Sequence, residues 1–162
     1  MTDTQQLAAL VSRLQGRRIL VVGDIVADVY IDGRISRISR EAPVLVLEQA
    51  GKTIIAGGAA NVVHNGATLG GCVTAVGVVG SDADADGVRA ILTDAGADTT
   101  GLIADATRPT ISKTRIIAGG RATVSQQIVR LDNESHEPLG RETEARLLHA
   151  IDAALPGVDG IV

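Results

Sequence analysis

A chain of 162 residues with a formal net charge of −4 and one aromatic side chain, Tyr30, excludes several functions before any motif is read. Its basic residues are dispersed, which argues against nucleic acid or an anionic membrane held by bulk charge, and its lone cysteine, Cys72, permits neither an internal disulfide nor a multi-cysteine zinc site. The length fits one domain able to bury roughly two thirds of its unfolded surface, and a core of Val, Ile, Leu and Ala suits sheets covered by helices.

The first six residues lack the basic start and apolar run of a signal peptide, and no apolar stretch is long enough to span a bilayer, so a soluble cytoplasmic protein is expected. Leu7, Leu10, Val11 and Leu14 recur at helical spacing before Gly16, which predicts an amphipathic helix over residues 4–15. That N-terminal helix, residues 1–16, precedes a fold proper in residues 17–162. Ile19-Leu20-Val21-Val22 reads as a strand buried on both faces and ended by Gly23-Asp24, while Cys72 falls in a second such run, where a buried apolar role is expected.

Within about residues 25–50 the pattern changes to short extended pieces. Asp32-Gly33 gives a hairpin signal between Tyr30-Ile31 and Ile35, and Val44 to Glu48 forms another extended run after Pro43. Together they predict a small antiparallel sheet standing off the main layer as a lid. Arg34, Arg37 and Arg40 fall at every third position between its arms, as a charged, solvated edge would.

Gly57-Gly58-Ala59-Ala60-Asn61-Val62 leads from extended chain into a helix with Val62, Val63, Ala67 and Leu69 as its apolar face, stopped by Gly70-Gly71. Glycines at such a junction let a ligand approach the main chain, and the free N–H groups of the first helical turn form a donor cup for hydroxyls or phosphate oxygens. The plain alternative is a tight strand-to-helix turn. Asn61 can either cap the backbone or offer a donor and an acceptor to a polyol.

Val73 to Val79 is a further buried strand, followed by a helix with Val88, Ile91 and Leu92 that Gly96 ends. Asp82, Asp84 and Asp86 alternate like the opening of a calcium loop, but Thr93 stands where the closing glutamate belongs, so the acids are assigned to the helix N-terminus. Thr99 to Ile103 reads as a short strand. Thr110 to Ile117 and Thr123 to Leu131 read as two strands around Gly119-Gly120. The first puts Ile111, Lys113 and Arg115 on one face, where the two cations could meet one phosphate or both be solvated. Arg141 to Leu155 carries Ala145, Leu148 and Ile151 in a helix pattern, and residues 158–162 read as the opening of a buried strand, so the alternation is expected to continue in a longer polypeptide. No phosphate loop, dinucleotide fingerprint or nucleophile turn is present, and His64, His136 and His149 lack ligand-like neighbours.

Five stretches carry a family resemblance: VVGDIVAD at residues 21–28, SRISREAPV at 36–44, GGAANV at 57–62, TISK at 110–113 and QQIVRLD at 126–132. In this order they resemble the N-terminal part of the ribokinase-like (PfkB) carbohydrate kinases, closest to the D-glycero-β-D-manno-heptose-7-phosphate kinase branch, for which the SRIS-x-EAPV run is most specific. The resemblance implies an α/β fold, a ribokinase-like three-layer sandwich with a small β lid, cut before its C-terminal half. It implies that Asp28 accepts hydrogen bonds from sugar hydroxyls, that Gly57, Gly58 and Asn61 hold further hydroxyls, and that Lys113 lies near the substrate phosphate.

No catalytic residue is implied here, because the family's base belongs beyond Val162. ATP and Mg2+ are implied for the full-length parent, with no motif for either in this part. The implied activity is transfer of the ATP γ-phosphoryl to heptose 7-phosphate, giving the 1,7-bisphosphate in ADP-heptose synthesis, with this part inactive alone. Implied partners are the phosphorylated sugar, the missing C-terminal half and a fused adenylyltransferase, with a homodimer through the lid left open. The alternatives are a kinase for another sugar or a nucleoside, a non-catalytic sugar-binding or dimerising module, and a dinucleotide-binding dehydrogenase half. The last is disfavoured because the first strand leads into Gly23-Asp24 and extended chain without a glycine-rich helix start.

Overall fold

The computed structural model describes residues 3–119 and 125–162. After α1 (Asp3–Ser12), the run of aliphatic residues at Ile19 to Val22 forms β1 (Arg18–Val22). Next come β2 (Ile25–Ile38), β3 (Leu45–Gly58), α2 (Ala59–Thr68), β4 (Cys72–Val79), α3 (Ala83–Asp94) and β5 (Asp98–Ala104). The chain continues through β6 (Ile111–Gly119), β7 (Gln126–Asn133), α4 (Arg141–Ala154) and β8 (Gly160–Ile161). Among the described residues no helix is long and apolar enough to cross a membrane.

β5, β4, β1 and β8 form a parallel sheet in that order. Its central strands, β1 and β4, are largely aliphatic runs, as strands covered on both faces are. Val73, Ala75, Val79 and Leu102 point toward Ala60 and Val63 of α2 and Ala85, Val88 and Leu92 of α3, forming the core. On the opposite face, Thr74 and Ile103 line a cleft under Ala150 and Ala153 of α4. The second sheet runs β3-β2-β6-β7, with β2 and β6 parallel and the outer pairs antiparallel. The root of this sheet, Ile25, Ala27, Val29 and Ala56, joins the same core. The result is an α/β arrangement in which the second sheet extends from the helix-covered parallel sheet, as the expected lid does.

Several expectations change. Asp32-Gly33 is not a turn: β2 passes through it unbroken, and the register slips there so that Ala50 of β3 has no partner. Gly33 is closely packed there, since a Cβ would stand 3.2 Å from Leu47 Cβ. The reversal lies at residues 39–44, where Ser39 N–H donates to the Val44 carbonyl at 2.8 Å. A local turn signal yields here to a long ladder of cross-strand pairs. The lid is also larger than residues 25–50, because β3 runs to Gly58 and two later strands complete it.

α1 ends at Ser12, its last turn tightening to three-residue spacing as Arg13 N–H donates to Leu10 O and Leu14 N–H to Val11 O. The Leu7 side chain lies outside the described residues, and Leu10 and Val11 are exposed. Cys72 is exposed as well, because it opens β4 and the strand's alternation turns Val73 inward instead. In α2 the buried side chains are Ala60 and Val63, while Val62 and Leu69 face solvent. In α4, Ala145 and Leu148 are exposed and Thr143 is buried. β8 is exposed, as it pairs only along β1 and no described helix covers Ile161. Gly120, Thr123 and Val124 of the expected hairpin lie outside the described residues.

Candidate functional site

Alternation along β2 buries Ala27 and Val29 and leaves Val26, Asp28 and Tyr30 on the other face. Strand registers then assemble two rows across the sheet. Asp28 lies opposite Ile55 of β3 and Lys113 of β6, and Lys113 is in turn opposite Asp132 of β7. The next row contains Thr53, Tyr30, Arg115 and Arg130. Residues from three strands, β2, β6 and β7, thus place two carboxylates and three cations on one face.

The charges pair unevenly. Arg115 Nη1 donates to Asp28 Oδ1 at 2.6 Å and to the Lys113 carbonyl at 3.2 Å, and its guanidinium carbon sits 5.4 Å from the centre of the Tyr30 ring. Both side chains of this pair are less than a quarter exposed, 22% and 24%. The hydrogen bond to Asp28 raises the Arg115 pKa above its ordinary value despite partial burial, so its charge is permanent. Arg130 holds Asp132 through Nε and Nη2, each at 2.8 Å. Lys113 Nζ has no hydrogen-bond or ion-pair partner among the described residues.

The two glycines act differently. A Cβ on Gly57 would stand 2.5 Å from Asp28 Oδ2, so the bare backbone at Gly57 is what leaves that oxygen uncovered. Gly58 has φ +54° and caps α2, and a Cβ there would meet the Asp24 carbonyl at 2.6 Å. That carbonyl accepts from Ala59 N–H at 2.9 Å, so one donor of the expected cup is already used. Among the described residues no side chain caps α2.

Asp28, Gly57 and Lys113 are therefore brought together. Asn61, in the first turn of α2 and exposed, is not bonded to them; its Oδ1 accepts from Asn65 Nδ2 at 3.2 Å. Arg115 is the residue that sequence reading left undecided. The i, i+2 spacing put it beside Lys113, but its partner Asp28 lies 87 positions away and only the β2–β6 register reveals the pair.

Two acids, half-buried Asp82 and buried Asp105, fix the approach to β6. Asp82 accepts from Ala85 N–H at 2.9 Å, Thr110 N–H at 2.8 Å and Thr110 Oγ1 at 2.7 Å, capping α3 and pinning the strand that carries Lys113. Burial pushes its carboxyl up, but these hydrogen bonds outweigh burial and hold it below the ordinary range. Asp105 accepts from Thr107 Oγ1 at 2.6 Å, Thr107 N–H at 2.9 Å, Thr143 Oγ1 at 3.2 Å and Arg108 Nε at 3.2 Å. The Thr107 bonds are the chief reason that its carboxyl also titrates low. The alternating acids after β4 are thus a helix cap and its neighbours. Among the described residues no group of three or more His, Cys, Asp or Glu could hold a metal ion. At the carboxyl ends of β1 and β4, where α/β sheets take ligands, Gly23, Asp24, Gly77, Arg108 and His136 line a cleft of about 400 Å³.

A family model described as pfkB family carbohydrate kinase matches residues 17–153. The chain is 42% identical over 146 residues to the bifunctional protein HldE of Helicobacter pylori, covering 90% of this chain and 30% of that protein. It is 45% identical over 138 residues to the HldE of Azorhizobium caulinodans, covering 85% and 28%. The chain thus spans about 30% of the length of such relatives. Among solved structures, a carbohydrate kinase from Agrobacterium tumefaciens is 25% identical with a TM-score of 0.56, over 72% of this chain and 35% of that one. Arabidopsis thaliana ribokinase, solved with ribose and ATP, has a TM-score of 0.53 at 20% identity, over 72% and 36%, and shows the same fold.

Proposed function

The chain belongs to the pfkB family of carbohydrate kinases, and from that premise we propose that it supplies the acceptor-binding face of a kinase that phosphorylates a heptose 7-phosphate. The observation that carries this reading is the convergence of Asp28, Gly57 and Lys113 on one sheet face through two separate strand registers. The SRIS-x-EAPV run and the HldE relatives support the heptose acceptor.

In such a transfer an acceptor oxygen bonds to the γ-phosphorus of ATP, the bond from that phosphorus to the ADP oxygen breaks, and the hydroxyl proton passes to a base. Catalysis of this kind is mostly positioning and electrostatics. Asp28 accepts hydrogen bonds from sugar hydroxyls. The backbone at Gly57 and Gly58, with Asn61 at the helix tip, holds further hydroxyls. Lys113 meets the phosphate already on the sugar. ATP with Mg2+ would supply the phosphoryl group and neutralise its charge; among the described residues no group of three or more His, Cys, Asp or Glu could hold the metal ion. The base and the nucleotide pocket are assigned to the portion of the relatives that this chain does not span, which makes this part inactive alone.

The test is to purify the full-length protein carrying this chain and measure ADP release with ATP and Mg2+ over a panel of phosphorylated and free sugars. The expected result is release that depends on heptose 7-phosphate. Release with free sugars or nucleosides alone would move the assignment to another acceptor of the family, and no sugar-dependent release would remove it.

A further inference from the structure

We propose that Arg115 is a positioning residue that keeps Asp28 and Lys113 apart, so that one remains a hydroxyl acceptor and the other a phosphate donor site. The inference rests on the acceptor-site reading above. Asp28 and Lys113 are directly opposite in the β2–β6 register, on the same face. Two opposite charges so placed would ordinarily pair, and pairing would use up both groups that an acceptor needs.

Arg115 prevents this. It takes Asp28 Oδ1 at 2.6 Å, and it is held in place by a second bond from Nη1 to the Lys113 carbonyl and by the Tyr30 ring. A planar, permanently charged guanidinium on an aromatic face is fixed in this way more firmly than a flexible ammonium. Asp28 Oδ2 then has no hydrogen-bond partner among the described residues and lies over the bare backbone of Gly57. A carboxylate oxygen still accepts from hydroxyls there.

The charge balance agrees. Arg115 neutralises Asp28 and Arg130 neutralises Asp132, so Lys113 is, among the described residues, the one cation of the two rows left over. A neutral polyol end fits beside Asp28 Oδ2 and an anionic end beside Lys113, which is the shape of a sugar phosphate. Without Arg115, Lys113 falls onto Asp28 and the site loses both handles at once.

A double-mutant cycle in the full-length protein reads this directly. Acceptor KM, ATP KM and kcat are measured for wild type, Arg115→Ala, Lys113→Ala, the double variant and Arg115→Lys, with melting temperatures confirming folding. Arg115→Ala is expected to raise the KM for the phosphorylated acceptor by about 10- to 100-fold while ATP KM and kcat stay within about twofold. The double variant is expected to be no worse than Lys113→Ala alone, since the two substitutions remove one shared arrangement. Arg115→Lys should recover part of the loss. An unchanged acceptor KM in Arg115→Ala, or additive effects in the cycle, overturns the proposal and leaves the acceptor reading standing. Absence of any sugar-dependent turnover in wild type overturns the acceptor reading, and the proposal with it. If Arg115→Ala fails to fold, Arg115→Gln takes its place in the same comparisons.

Discussion

Gly57 and Asp28 lie so close across β2 and β3 that a methyl group on Gly57 would stand 2.5 Å from Asp28 Oδ2 and 2.9 Å from its carboxyl carbon. A short side chain would ordinarily swing clear, but Arg115 pins this one through Oδ1. Val26 Cβ, 3.3 Å away, closes another side. Gly57→Ala is therefore expected to cost about 1–3 kcal/mol of stability through overpacking, together with weaker acceptor binding. Urea denaturation and acceptor titration of the same variant check it. Wild-type stability would mean that the carboxylate moves freely.

Gly58→Ala should be worse, for a different reason. Its φ of +54° is a conformation that side chains avoid, and its Cβ would lie 2.6 Å from the Asp24 carbonyl oxygen and 2.8 Å from Val26 Cγ2. Backbone cannot yield as a side chain can, and that same carbonyl holds Ala59 N–H at the helix start. A loss of about 3 kcal/mol or more is expected from strain and clash combined. Paired denaturation curves test the order, with Gly58→Ala below Gly57→Ala.

The sequence reading was strongest where one local signal decided the structure. Leu20 and Val21 in an unbroken aliphatic run made β1, and Asp82 before Ala85 and Val88 made a capped α3. The stretches at residues 21–28 and 57–62 pointed to the family whose model matches residues 17–153. It was weaker where distant partners compete with local preference. Asp32-Gly33 has the chemistry of a hairpin turn, yet β3 pairs past it on both sides. Cys72 sits in an apolar run but at the strand's first position, where alternation turns it outward. In the site, Asp28 and Gly57 were legible as candidates because each stands in its own motif. The Arg115–Asp28 pair was not, because no periodicity within β6 specifies the parallel register that joins it to β2.

Stability should fall in acid. Asp82 titrates low because hydrogen bonds from Thr110 and Ala85 outweigh the opposing burial. Asp105 does so chiefly through the Thr107 hydroxyl, and Asp159 through Arg18 N–H with help from Arg17. A carboxyl that titrates lower folded than unfolded adds stability above its unfolded value, and that stability is lost as pH falls through the folded value. Melting temperature is expected to hold from neutral pH to about pH 5 and to drop below roughly pH 4, the ordinary carboxylate range. Circular dichroism melts over this range check the profile, and Asp82→Asn should flatten its acid limb. A melting temperature that is constant down to pH 2 would show that these carboxylates gain nothing on folding.

Lys113 offers the sharpest separation of binding from stability. It stands between Asp28 and Asp132 in register, yet Arg115 and Arg130 hold those carboxylates and Lys113 has no partner among the described residues. Replacing it with methionine keeps most of the stem and breaks no hydrogen bond, so stability should stay within about 0.5 kcal/mol of wild type. A lysine that meets a phosphate loses a charge-assisted contact, so the KM for phosphorylated acceptors should rise by about 10- to 100-fold. Unphosphorylated sugars, which never made that contact, should be handled as before. Steady-state kinetics on matched phosphorylated and free sugars, beside a denaturation curve, measures both sides of the prediction. Equal losses on the two classes of sugar would detach Lys113 from the phosphate and assign it instead to the general field of the sheet face.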